Sequence, residues 1–125
     1  MGGHDNLFKR AFSDVEHALG LLARAALHTH RGAFTLARHD LDEALSLATR
    51  CGFRLHEADA HLGHARFHLA TDPPSPDAAL SHLAKARTLI TATGYHRRDG
   101  ELAELAAEAA ELAKTAPPAP ANPTA

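Results

Sequence analysis

Between residues 56 and 68 the chain reads HEADAHLGHARFH, with four histidines and two carboxylates in thirteen positions. Imidazole and carboxylate groups bind transition metals and exchange protons near neutral pH. A zincin-type site needs a second histidine four residues after the first, on the same face of a helix. Here position 60 is Ala60 and the next histidine is His61, so His56 and His61 leave a helix in different directions. That catalytic motif is absent. His61, His64 and His68 stand at i, i+3 and i+7, which places them within one arc of a helix. No carboxylate is placed in the sequence to orient these rings. The chain has 11 histidines, most of them outside the stretch, so histidine also serves it as a general polar helix residue.

Other catalytic patterns are missing too. There is no glycine-rich phosphate loop and no serine in a nucleophile elbow. The reading is of a non-enzyme without a cofactor.

The elements that must carry these side chains follow from composition. The 125 residues suit one domain. Alanine supplies 28 residues and leucine 18, whereas valine and isoleucine occur once each, at Val15 and Ile90. Sheets draw on β-branched and aromatic residues, while alanine and leucine lose little side-chain entropy in a helix. The expected class is all-α.

Formal net charge is −2 with acids and bases interspersed, so no basic stripe exists to neutralise phosphates, and no nucleic acid is expected as partner. No apolar run approaches the roughly 18 residues of a membrane span. The opening MGGHDNLFKRAF lacks the apolar core of a signal peptide. Cys51, the one cysteine, has no partner for an internal disulfide and fits a reducing cytoplasm; at the end of a helix it reads as a small buried residue.

An internal repeat organises the chain. HDLDEALSLATRCGF from His39 aligns with SHLAKARTLITATGY from Ser81 at a constant offset of 42 residues. Leu41 meets Leu83, Ala44 meets Ala86, Leu47 meets Leu89, Gly52 meets Gly94 and Phe53 meets Tyr95. Around it, punctuation predicts five helices. Ser13 and Glu16 form a capping box that starts the first helix, which runs toward His30 and breaks at Gly32. The second spans about 34–50, closed by Gly52, and the third about 55–70. After the TDPPSPD loop, Ser75 can cap a fourth helix with Pro76 in its first position, ending near Thr93. A fifth starts near Asp99, with a leucine stripe and an acidic face through Glu101, Glu104, Glu108 and Glu111. The resulting division is a lead segment 1–12, a helical domain 13–114 and a Pro/Ala-rich tail 115–125 expected to be disordered.

Gly32, Ala37, Leu41 and Ala44, with Leu21, Ala25 and His28 before them, follow the spacing of the tetratricopeptide repeat; Leu62, Gly63, Ala79, Leu83 and Ala86 offer a second copy. The chain resembles that family over roughly residues 18 to 112, and its TGYHRRDGELAEL stretch resembles the terminal repeats of large bacterial proteins that contain such arrays. His28, where the family prefers an aromatic, and about four extra residues in the TDPPSPD loop depart from the pattern. The resemblance implies an α-solenoid of two helix hairpins and a capping helix. It also implies a non-catalytic, cytoplasmic scaffold that receives a protein partner, as a peptide or helix, in its inner groove. The groove residues it implies are Leu22, Ala26, Thr29 and His30 from the first helix and Glu57, Ala60, His64, Phe67 and His68 from the third. His30 then joins His61, His64 and His68 as the only candidates for a metal, although no resident metal is expected. The alternatives are a metal- or pH-responsive sensor built on the histidine row, or a segment of a larger signalling or NTPase protein. Two repeats are few for a solenoid, so the fifth helix must cap the stack or an end helix must form a homodimer.

Overall fold

The structure, a computed structural model, describes residues 3–115. The fold is all-α: α1 (Gly3–His30), α2 (Phe34–Cys51), α3 (Arg54–Ala70), α4 (Pro76–Thr93), a 3₁₀ turn (His96–Arg98) and α5 (Asp99–Thr115). Each helix packs against the next, and α3 also touches α1 and α5, so α3 is the central element. No strand occurs among the described residues.

Three helix ends share one device. Gly32, Gly52 and Gly94 have φ of 76°, 71° and 74°. In that left-handed conformation the next amide turns back: Ala33 N–H donates to the His28 carbonyl, Phe53 to Ala48 and Tyr95 to Ile90. This is the Schellman closure, which satisfies carbonyls the helix leaves unpaired and which only glycine adopts without a Cβ penalty.

The 42-residue repeat is visible as burial. Leu41 and Leu83 are each 2% exposed, and the pairs Ala37/Ala79, Ala44/Ala86 and Ala48/Ile90 are buried at the same register. One core joins α3, α4 and α5 through Ala58, Leu62, Leu83, Ile90, Leu102 and Leu105. A smaller one joins α1 and α2 through Ala25, Ala37 and Leu41, with Phe67 of α3. Alanine at the contact positions lets the helix axes approach. At Gly63 a methyl group would displace Leu41, because a Cβ there would stand 2.7 Å from Leu41 Cδ2.

Four expectations are corrected. The first helix does not start at Ser13: α1 runs unbroken through it from Gly3, so the lead segment is helical from that residue onward. A capping box needs a non-helical first residue, and no proline or glycine between Leu7 and Val15 interrupts propagation. Ser75 precedes α4 without a side-chain cap bond, and Pro76 follows it as expected. Cys51 is exposed rather than buried, its Sγ 3.7 Å from Asp14 Oδ2. Of the acidic face on α5, Glu104, Glu108 and Glu111 are exposed, but Glu101 turns inward to pair with Arg66 and Arg98. The tail from residue 116 lies outside the described residues.

Candidate functional site

The two faces of α3 present different chemistry. On one side, α1, α3 and α5 enclose a half-open groove of about 750 Å³. Leu19, Leu22 and Ala26 of α1, Leu69 and Ala70 of α3 and Leu105 of α5 supply its apolar surface. His30, Asp59, Arg66, Arg98 and Glu108 supply its polar groups. Arg98 Nε donates to Asp59 Oδ1 at 3.1 Å, and both Arg66 and Arg98 pair with Glu101. Burial pushes the Arg66 guanidinium down from its usual range, and the Arg98 charge adds to that. Two cations and two carboxylates thus stand together beside the apolar surface of the channel.

Of the groove residues named from the sequence, Leu22, Ala26, Thr29 and His30 line this channel. Those from α3 do not. Glu57 is half-buried and accepts from the Thr49 hydroxyl; Ala60, His64 and Phe67 are buried and His68 is half-buried, none of them lining the channel. In their place α3 offers Asp59, Gly63, Arg66, Leu69 and Ala70. The physical reason is that α3 is covered on several sides. Its apolar positions do not form one stripe, so periodicity cannot tell which flank faces the open side.

On the other side of α3, four imidazoles meet. His61, His64 and His68 of α3 are joined by His82 of α4. The His82 ring stacks on His64 with centroids 4.4 Å apart and 6° between planes, and on His68 at 5.5 Å and 16°. His61 Nδ1 and His82 Nδ1 are 3.0 Å apart, so one donates and the other accepts. His61 and His64 are 6% and 4% exposed. His64 Nε2 is buried without a hydrogen-bond partner, although Asp42 Oδ1 of α2 lies 3.5 Å away. One ring nitrogen from each of His64, His68 and His82 falls within 4.8 Å of the others.

Burial, with the Lys85 and His64 charges, lowers His61 to about 4. Burial together with the three neighbouring histidines and Lys85 lowers His82 to about 3. His64 and His68 are lowered as well, chiefly by burial, with Asp42 acting against the shift at both. At pH 7 the four rings are neutral, the form in which histidine ligates metals. His30, placed with the candidate ligands by the sequence reading, lies on the groove side and takes no part in this cluster.

His82 escapes a reading of spacing because nothing local links it to residues 61–68. The repeat did hold a signal. His82 aligns with Asp40 at the 42-residue offset. Asp40 is 3% exposed and turned toward α1, where Arg24 donates to both its oxygens at 2.7 and 2.8 Å. In each hairpin the second helix therefore presents a polar side chain to the first helix at one register. Asp42, the carboxylate beside His64, escapes in the same way because it comes from α2. Comparison with family models, with curated proteins and with solved structures finds no match to this chain.

Proposed function

We propose that the chain is a non-catalytic protein-interaction module of tetratricopeptide-like construction, which receives a helical or extended peptide in the channel between α1, α3 and α5. The observation that carries this reading is the channel itself. Leu19 is 46% exposed, with Leu22 and Ala26 along the same helix, beside the Asp59–Arg66–Arg98 cluster. An apolar strip flanked by fixed charges of both signs suits an amphipathic segment whose apolar row fills the strip and whose polar residues exchange with the ion pairs. Support for the solenoid comes from the repeated burial register, the three like helix closures and the sequential packing of hairpins. The proposal includes a cytoplasmic, bacterial setting and a place either as a free adaptor or as a segment of a larger signalling or NTPase protein, and it excludes nucleic acid as a partner. No described helix is long and apolar enough to cross a membrane.

A displayed library of random peptides tests the proposal, because it samples apolar rows in many registers and charge settings. Selected peptides should bind the parent and lose at least about tenfold in affinity, or about 1.4 kcal/mol, with Leu19→Glu or Arg66→Ala. Substitution at Leu80, exposed on α4 away from the channel, should leave binding unchanged. Peptides that bind Leu19→Glu as tightly as the parent would exclude the channel.

A further inference from the structure

We propose that His64 and His68 of α3 and His82 of α4 form a three-imidazole site for a divalent first-row transition metal of the zinc class, with His61 as a positioning residue and Asp42 as a neighbouring counter-charge. Two independent observations carry it. A ring nitrogen from each of the three falls within 4.8 Å of the others. And His64, 4% exposed, keeps Nε2 buried with no hydrogen-bond partner, which is costly in a packed protein unless something occupies that nitrogen.

The donor set selects the ligand. Neutral imidazoles are borderline-soft and suit zinc, copper or nickel, whereas calcium and magnesium require oxygen ligands. Zinc–nitrogen bonds of about 2.0–2.1 Å in a tetrahedron need ligand nitrogens closer than the present limit. The rings also lie stacked, so binding turns them about their side-chain torsions until their lone pairs converge. His68 and His82 are only half-buried, which leaves an entry path and an open fourth position.

The surroundings orient the set. If His82 donates its Nδ1 proton to His61 Nδ1, 3.0 Å away, Nε2 of His82 keeps its lone pair for the metal. Asp42, 3.5 Å from His64 Nε2, supplies the negative charge that a dication among neutral ligands favours. Binding would clamp α3 to α4. Because the site lies on the opposite side of α3 from the channel, it stands whether or not the channel binds a peptide.

The test is a titration of the untagged, full chain with Zn²⁺ by calorimetry and with Co²⁺ by visible absorption at pH 7.5. One equivalent should bind, with Co²⁺ showing the intense bands of tetrahedral coordination. His82→Gln and His64→Gln should weaken binding at least about 100-fold, and Asp42→Asn about tenfold through loss of its charge. The doubly substituted His17→Gln, His96→Gln chain, altered only at exposed histidines, should bind as the parent does. If His64→Gln fails to fold, His68→Gln, at a half-buried position, gives the same reading. With Zn²⁺ bound, nitrogen NMR should show His82 protonated at Nδ1. Absence of stoichiometric binding by the parent, or undiminished binding by His82→Gln, would overturn the proposal.

Discussion

Gly20 of α1 and Gly63 of α3 both sit inside helices, where glycine costs about 1 kcal/mol relative to alanine. Their surroundings differ. Nothing lies within 4 Å of a Cβ built on Gly20, whereas one on Gly63 meets Leu41 Cδ2 at 2.7 Å, and Leu41 is locked in the core. Gly20→Ala is therefore expected to stabilise by about 0.5–1 kcal/mol. Gly63→Ala gains the same propensity but overpacks its site at about 1–3 kcal/mol, for a net loss of about 1 kcal/mol. Urea melts of the two variants check the contrast, and a stabilised Gly63→Ala would show that α2 and α3 separate freely. The buried histidines set the pH response. The unfolded chain takes up protons near the ordinary value of about 6.5, while in the fold His61 waits until about 4 and His82 until about 3. Between those limits the unfolded state binds more protons, so stability is whole above about 6.5 and falls as pH drops toward 4. Asp42 opposes the loss at His64 and His68, and Arg38 and Lys85 add to it. In metal-free buffer the stability should be lower at pH 5 than at pH 7.5 by on the order of 2–4 kcal/mol, read as a lower melting temperature. His64→Gln with His68→Gln should shrink it. An unchanged pH dependence in that double variant would mean that His64 and His68 contribute nothing to it.

Asp40 behaves in the opposite sense and belongs to the pairing of elements. Its bidentate bond from Arg24 holds its carboxyl below the usual carboxylate range, so its contribution is present above about 3.8 and is lost only as pH falls through the lower folded value. Acid unfolding thus has a histidine limb on the α3–α4 hairpin and a later carboxylate limb on α1–α2. The hairpins differ in apolar backing as well. Leu102, Leu105 and Ala109 of α5 complete the α3–α4 core, while Phe67 is the buried apolar residue that α3 adds to the smaller α1–α2 core. Amide exchange under native conditions should be slower at Leu62 and Ile90 than at Ala25 and Ala37. Equal protection throughout would indicate a single cooperative unit.

For the whole molecule the question is how a short stack closes its ends. At one end α5 lays its apolar stripe on α3 and α4 and turns Glu104, Glu108 and Glu111 outward, the arrangement a cap requires. Removing residues 95–125 should expose that core and abolish cooperative melting. At the other end the leading half of α1 leaves Leu7 66% and Phe12 59% exposed. A homodimer through an end helix would form there. Sedimentation equilibrium should show a mass rising with concentration for the parent and not for Phe12→Glu, and a strictly monomeric parent would exclude the dimer.

Local chemistry was sufficient for much of this. Abundant alanine and leucine beside a single valine and a single isoleucine left no material for a sheet, and Gly52, Gly94 and Pro76 delimit helices where their backbone preferences require. The equivalence of Leu41 with Leu83 was legible because a repeat buries equivalent positions alike. The start of α1 was not legible, since Ser13 can cap a helix or lie within one, and only propagation from Gly3 decided it. Nor was the face of α3. A helix covered by four neighbours has no single apolar stripe, so the choice between Asp59–Arg66 and His64–His68 for the channel lay in the packing of α1 and α5. The convergence of His82 and Asp42 on His64 lies beyond sequence spacing altogether. It depends on α2 and α4 flanking α3 at a shared register, a relation that exists only once the hairpins have packed.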